Sequence, residues 1–474
     1  MRMSPLAGCI ATFFIAATWG AGCGSSSVDA INGPPSGNGN DGGNGGNNGG
    51  DSPGGGFSDG GRADGSRPGD RDSGTNPGDF CRGTGAAIPL PGGSLCTGDL
   101  GRKLFKMAAC SCSNMDISGD ILTDSFNSST GSSNRSGGSL GTNEKLVVNG
   151  RFNIGGSGYA ANVRKDTGTV LTLGADGTLK NDTWAGGETR AQGTVTVGGD
   201  VHAKGDVNGT NESVTKANGK VHIPDTKSVT GFGSTGVVTA PDANVVIPTP
   251  CDCTNKLDIA NIVSPFKTAN DNAVAGITED VLVQGGAVTL PCGKYYLSKI
   301  GGAAITLNIQ GRVAVFVAGD LDTAGKFDIN LAPGAEIDLF VAGKFRMAGD
   351  SGFGSVAAPS KVRVYVGGPT FEIAGRANVG GNFYAPNAPV IPSGKFEISG
   401  AIFAESLRFA GGLTIHYDEA ILDVPGCRPP TQTCNSCNDC ANACKGGQCG
   451  GCEKNSDCCA PLVCSSGRCV PDIR

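Results

Sequence analysis

Val315-Phe316-Val317-Ala318-Gly319-Asp320-Leu321 returns as Leu339-Phe340-Val341-Ala342-Gly343-Lys344-Phe345, and again as Val364-Tyr365-Val366-Gly367-Gly368. Looser copies follow in Phe383-Tyr384-Ala385-Pro386 and Ile402-Phe403-Ala404. The aromatic positions 316, 340, 365, 384 and 403 are thus 24, 25, 19 and 19 residues apart. A period of this length marks stacked repeats, in which each unit buries its apolar face only against its neighbours. Within each copy, three or four residues alternate in apolar character as strands do, and Gly allows the backbone to turn at their ends. These features predict an all-β chain built as a right-handed parallel β-helix, a solenoid whose turns stack ~4.8 Å apart. The recurring aromatic and Val positions are expected to form ladders directed inward. A β-sandwich also accepts short strands with Gly turns, but the in-phase return of whole strand–turn units favours the solenoid.

A similar beat runs upstream. Leu146-Val147-Val148, Leu171-Thr172-Leu173, Val195-Thr196-Val197 and Val221-His222-Ile223 end 25, 24 and 26 residues apart. The solenoid is therefore placed at residues 146–426, with an insertion near 248–280. Within the insertion, Ile259, Ile262 and Val263 fall at helical spacing before Ser264-Pro265, which predicts a short helix serving as a lid or side insertion. Composition agrees with a β architecture. The 80 Gly among 474 residues would each cost ~1 kcal/mol inside a helix. Lacking a three-residue Gly period, the chain is not collagen-like. A net charge of −6 leaves no basic footprint for nucleic acid.

The N-terminus carries Arg2 and then an apolar stretch from Leu6 to Ala21. This is shorter than the ~18 residues that span a bilayer, so residues 1–22 read as an export signal. Trp19-Gly20-Ala21-Gly22-Cys23-Gly24-Ser25-Ser26-Ser27 resembles a bacterial lipoprotein processing site, although Gly20 stands where Leu is commonest. The resemblance implies lipidation of Cys23. Leu6-Ala7-Gly8-Cys9 matches that pattern more closely but leaves no room for an apolar core; ordinary signal cleavage near Ala21 is the alternative. Residues 23–79 read as a disordered tether: 18 of the 47 residues from Gly33 to Asp79 are Gly, with no apolar face to offset ordering entropy. Gly42-Gly43-Asn44-Gly45 and Asp70-Arg71-Asp72 invite comparison with cation sites, and both read better as solvated linker.

With Cys9 removed and Cys23 lipidated, 18 of 20 cysteines remain, an even number suited to disulfides in an oxidising compartment. The disulfide candidates are Cys81, Cys96, Cys110, Cys112, Cys251, Cys253 and Cys292 in the body, and Cys427, Cys434, Cys437, Cys440, Cys444, Cys449, Cys452, Cys458, Cys459, Cys464 and Cys469 in the tail. Both groups are odd in number, seven and eleven, so complete pairing requires at least one bridge from body to tail, for which Cys427 is the natural tail partner. Residues 80–145 form a Cys-containing lead-in and residues 427–474 a module held by covalent staples rather than burial. Cys434-x2-Cys437-x2-Cys440-x3-Cys444 has an iron–sulfur spacing, but Lys445 replaces the usual Pro, and an exported Cys-dense tail favours disulfides. Cys449 to Cys469, with adjacent Cys458-Cys459, resembles cystine-knot miniproteins and Dickkopf-like cysteine-rich modules, a likeness that identifies a scaffold rather than a target.

The chain offers little catalytic machinery. His202, His222 and His416 are the only histidines, and no nucleophile elbow, phosphate loop or metal-ligand His pair is apparent. No catalytic, cofactor-binding or metal residues are assigned. Gly155-Gly156-Ser157-Gly158 reads as a turn. His416-Tyr417-Asp418-Glu419 allows an acid/base reading, but is expected to cap exposed strand ends after the last turn.

Leu290-Pro-Cys-Gly-Lys-Tyr-Tyr296, Gly311 to Gly319, Tyr384-Ala-Pro-Asn-Ala388 and His416-Tyr-Asp-Glu-Ala420 resemble the β-helical domain of unknown function found in bacterial surface lipoproteins and PilX-type pilus-assembly-like proteins. The likeness is good over residues 280–422 and loose over 100–280. It implies a β-helix and a surface location, and carries over no catalytic residue. The expected protein is a non-catalytic lipoprotein anchored at the bacterial envelope, at the outer membrane or cell surface, acting as a structural or adhesive scaffold. Its expected contacts are the membrane, through the lipid, and cell-surface glycans or envelope proteins, with no nucleic acid and no cofactor. The alternatives are a binding or sensor module using the Cys-rich tail, and a polysaccharide lyase or hydrolase, since such enzymes also use β-helices.

Overall fold

The computed structural model describes residues 97–424 apart from 135, 350, 375, 376 and 393, together with Cys81, Ile88–Leu90, Gly93–Leu95 and stretches between Cys434 and Pro471. The export signal, Cys23, the tether, Cys96, Cys427 and Cys440 lie outside the described residues.

Parallel pairings join thirteen strands into one column of a solenoid. From one end these are Gly293–Leu297, Arg312–Val317, Glu336–Val341, Val362–Val366, Ala377–Val390, Phe396–Phe409, Ala109–Ser111, Leu140–Thr142, Gly158–Ala160, Thr183–Ala185, Val201–Ala203, Val221–Pro224 and Val237–Ala240. That gives about 12 turns. The order is not the order of the chain. The second half of the sequence comes first in the stack, and its last turn pairs with the first turn of the other half, with Ile402 opposite Ala109, Leu407 opposite Met115 and Leu413–Asp418 opposite 121–126. Residues 109–127, expected in a lead-in, are therefore a central turn of the solenoid. The boundary moved because short strands such as Ala109–Ser111 carry no repeat of their own.

The chain must then return from Val237–Ala240 at one end to Gly293 at the other, and residues 241–285 form that return strap. It runs down the outside of the stack, turn by turn. Asn143 Nδ2 donates to the Cys251 carbonyl at 2.9 Å, and the Cys110–Cys251 and Cys112–Cys253 bridges fix this level. Leu257 N donates to the Tyr384 hydroxyl at 3.1 Å. The helix Ile259–Val263, capped by Asp258, buries Ile259, Ile262 and Val263, as their spacing predicts. Phe266 stacks on Phe316 with ring centres 3.6 Å apart, and Asn272 exchanges two hydrogen bonds with the Tyr296 backbone. The expected insertion is thus a continuous strap.

Two further expectations are corrected. The repeating aromatics form a ladder, but an outward one. Val313, Val315 and Val317 fill the interior, while Phe316 lies on the other face of its strand, in register with Tyr296, Phe340 and, through them, Tyr365, Tyr384 and Phe403. Phe266 and Leu257 reach these rings from outside, which leaves the column buried under the strap. The interior aromatics are instead Phe327, Phe345, Phe353, Phe371 and Phe383, which converge from different faces of the solenoid. In the first half, Leu171–Leu173 pairs with 189–191 and not with 195–197. Successive partners in the column there are 25, 18, 20 and 16 residues apart. Each face shows the same small β-branched pattern, so spacing alone does not tell one face from another.

A charged cluster also lies on the outer face under the helix Thr97–Leu104. Arg363, fully buried, grips Asp338 with two bonds of 2.6 and 2.8 Å and also donates to Glu336 and the Ser360 carbonyl. A side chain at Gly101 would press on Arg363 Cδ at 3.0 Å and on Ile421 Cδ1 at 3.3 Å, so the Gly keeps the helix close over the cluster. Burial pushes Glu336 up, but the Arg363 and Arg312 guanidiniums outweigh it and hold the carboxyl below its usual range.

If the strap's grip comes from covering the outer ladder, Phe266→Ala should cost ~3–5 kcal/mol, read as a lowered urea midpoint. A loss below ~1 kcal/mol would show that Phe266 is not the anchor its stacking implies.

Candidate functional site

The outer column does not stop where the strap stops covering it. The register continues from Phe403 through Cys110 and Gly141 to Tyr159, Trp184, His202, His222 and Val238. At Gly141 the column narrows: a side chain there would strike Met107 Sδ at 2.4 Å and Pro250 Cβ at 2.8 Å. Beyond it, four rings form one parallel stack. The centres are 6.2 Å apart for Tyr159 and Trp184, 3.7 Å for Trp184 and His202, and 4.5 Å for His202 and His222, with planes within 10°. Short strands make this possible. In Thr183–Ala185, Val201–Ala203 and Val221–Pro224, small or β-branched residues are buried and one ring points out from each turn.

This ladder floors a groove of about 620 Å³. One wall is the upper strap, with Val245, Val246 and Pro248; the other is the tail, with Asn455, Ser456, Leu462 and Val463. Asp182 and Asp200 enter at corners of successive turns. Asp182 Oδ1 accepts from Asp200 N, and Asp200 Oδ1 from Lys220 N, each at 2.7 Å. The same device, an aspartate at one corner accepting an N–H from the next turn, recurs at Asp176, Asp206 and Asp320. Asp200 differs in that its second oxygen lies 3.2 Å from His222 Nε2. Burial pushes Asp200 up, but the Lys220 amide and His222 outweigh it and keep the carboxyl below its usual range. Burial, and then the neighbouring His222, push His202 down to about 4. At neutral pH the site therefore offers a neutral imidazole, a second imidazole and an ionised carboxylate beside apolar walls.

Sequence reasoning noted these histidines without joining them. A signal exists: Thr183-Trp184-Ala185, Val201-His202-Ala203 and Val221-His222-Ile223 are each a ring between two small or β-branched residues.

The cluster His416 to Glu419 does not cap a free end, because the strand that carries it is paired on both sides, with Phe396–Phe409 and with Ile121–Asn127. His416 Nδ1 lies 2.7 Å from Asp124, its partner across the seam, and Tyr417 donates to the Phe105 carbonyl at 2.8 Å. Buried Asp418 accepts from Ser128 N and Oγ, Ser360 N and Ala420 N. These side chains lock the junction of the two halves.

Residues 253–424 match a family described only as a domain of unknown function (DUF7305). The match covers the lower strap and the second half of the chain, ending at the seam, and does not include the ring stack. No curated protein and no solved structure matches the chain.

Fourteen of the candidate cysteines lie in described bridges. Cys81–Cys292, Cys110–Cys251 and Cys112–Cys253 tie body to body, while Cys434–Cys444, Cys437–Cys459, Cys452–Cys464 and Cys458–Cys469 tie tail to tail. Cys434, Cys437 and Cys444 of the iron–sulfur-like run are therefore disulfide-bonded, and Cys449 sits opposite Cys444 in a short antiparallel pair.

Two predictions follow from this arrangement. With every remaining thiol paired, the body-to-tail bridge required by parity falls to Cys96, so non-reduced peptide mapping should recover it linked to Cys427, Cys440 or Cys449; a Cys96 peptide that alkylates without reduction counts against the parity argument. For His416, the Asp124 hydrogen bond raises the ring above its ordinary value, burial opposing. Its stabilisation is complete below the unfolded value of ~6.5 and is lost as pH rises through the higher folded value. His416→Gln should thus destabilise the protein more near pH ~5.5 than near pH ~8.5, compared by urea midpoints; equal losses would mean that protonation of this ring does not support the seam.

Proposed function

We propose that this chain is a non-catalytic scaffold of the bacterial cell surface, structural or adhesive, anchored by a lipid on Cys23 and presenting the solenoid beyond a tether. The observation that carries this reading is the clasped solenoid. About 12 turns at ~4.8 Å each extend about 55–60 Å, and the strap, its two bridges to the central turn and the Cys81–Cys292 bridge bind them together. Such cross-links constrain the unfolded chain across loops of 141 and 211 residues; in the chain-entropy account a bridge that closes a loop of this length contributes about 5 kcal/mol, and the second of the two neighbouring strap bridges adds less because the first has already closed its loop. That suits a protein exposed to proteolysis and mechanical load outside the cell. The acid/base candidates at His416–Glu419 are engaged in holding the seam, which supports a non-catalytic role.

A second reading, a binding module that uses the Cys-rich tail, is favoured by one particular observation: Asn455, Ser456, Leu462 and Val463 form a wall of the ring-floored groove. The two roles are compatible, with glycans or envelope proteins as the partners.

Intact-mass analysis of protein taken from the native envelope, combined with protease shaving of whole cells, tests the anchor and the address. A diacyl or triacyl mass on Cys23 and loss of the solenoid on shaving are expected. An unlipidated chain cleaved near Ala21, or a chain protected in intact cells, would overturn the surface-lipoprotein reading.

A further inference from the structure

Asp200, His202 and His222 are brought together only by folding: they come from two successive turns, and their donor atoms all lie within 4.8 Å of one another. We propose that these three side chains form a binding site for a divalent transition-metal ion of the zinc–copper class, open to the groove. The inference is independent of the scaffold reading.

The donor set points to that class. Two imidazoles and one carboxylate suit Zn2+, Cu2+ and Ni2+, whereas Ca2+ and Mg2+ require mostly oxygen ligands. Ligand bonds of ~2.0–2.1 Å to a tetrahedral ion place donors ~3.3 Å apart. The Asp200–His222 pair is already at 3.2 Å, and binding requires the His202 ring to turn out of its parallel stack on His222 so that both ring planes meet at the ion.

Each ligand also has support of the kind that preorganised metal sites use. Asp200 is held by the Lys220 amide through Oδ1, leaving Oδ2 to face His222. The parallel pairing of Val201 with Val221 sets the two imidazoles on successive turns of one column, with His202 between Trp184 and His222. Both rings are part-exposed to the groove, from which water or a partner's oxygen or nitrogen atom could complete the coordination. The structural alternative, a His222–Asp200 hydrogen bond with His202 as a stacked rung of the ladder, predicts no metal affinity, which a metal titration separates from the proposed site.

Trp184 provides a built-in reporter, since its ring centre is 3.7 Å from that of His202. Titration of the full-length protein with Cu2+ alone should quench Trp184 fluorescence with one-to-one stoichiometry, a signal absent from Trp184→Phe, and excess EDTA should reverse it. His202→Gln and His222→Gln should each weaken Cu2+ binding by at least the roughly 10–100-fold that follows loss of even an outer-shell partner. His416→Gln should leave it unchanged. Electron paramagnetic resonance of the wild-type protein at one equivalent of Cu2+ keeps the test independent of variant folding: hyperfine coupling to two imidazole nitrogens supports the site. A spectrum without two-nitrogen coupling, or binding equally tight in both His variants, overturns it.

Discussion

An open strand edge is the constraint around which this fold is arranged. A solenoid of two halves wound separately would present unpaired N–H and C=O groups at the inner end of each, a template for pairing with other chains. Here the inner ends meet. Strands from the last turn of the chain pair in parallel with those of its first turn on three faces, so the edges satisfy one another across about 290 residues of sequence. The side chains at the junction match the demand: Asp418, fully buried, takes up four donors, three of them from two other segments, and Tyr417 ties the seam to the helix end at Phe105. The seam in turn imposes the strap, because a solenoid whose first and last turns meet in the middle of the stack must carry its chain from one end to the other along the outside.

The strap explains why one outward column changes character along its length. Where residues 250–272 cover it, the column is Phe and Tyr, because burying large apolar rings supplies the free energy that holds a strap with little regular structure. Where the covering stops, the same column becomes Tyr159, still buried, and then Trp184, His202 and His222, rings with polar edges that tolerate a part-exposed position. The site is thus an uncovered length of a structural feature, not an addition to it. Its rigidity comes from the parallel register of the turns beneath, and its boundary from Gly141, where Met107 and Pro250 close over the backbone.

The tail contributes differently. It has few apolar residues to bury, and its small core of Ala443, Cys452, Cys458, Leu462 and Cys469 consists largely of cystine sulfur. Disulfides let such a segment hold a defined surface without a large core, and it is this stapled surface that gives the groove its second wall. Bridges in the body serve another purpose, since they join segments 141 and 211 residues apart and fasten the strap and the lead-in to turns that they only touch.

Much of the architecture can be read from local pattern. Short alternating runs with Gly breaks determine strands and corners, and their period determines a solenoid, because those are properties of neighbouring residues. The second half discloses even its register, since Phe316, Phe340, Tyr365, Tyr384 and Phe403 mark a single face with a residue type that the other faces lack at that position. Residues 259–263 announce their helix by the same logic. What local pattern leaves open is which way the rings point and what lies next to what. Val and Leu triplets look alike on every face, so the first half's beat of 24–26 residues crosses faces that the folded chain keeps apart. The order of the turns, the seam and the strap depend on pairings between segments remote in sequence, and backbone hydrogen bonds leave no mark on the residues that make them. The meeting of Asp200, His202 and His222 is of the same kind: three ordinary residues acquire a shared position only because parallel strands stack in register, and that stacking is a property of the whole chain.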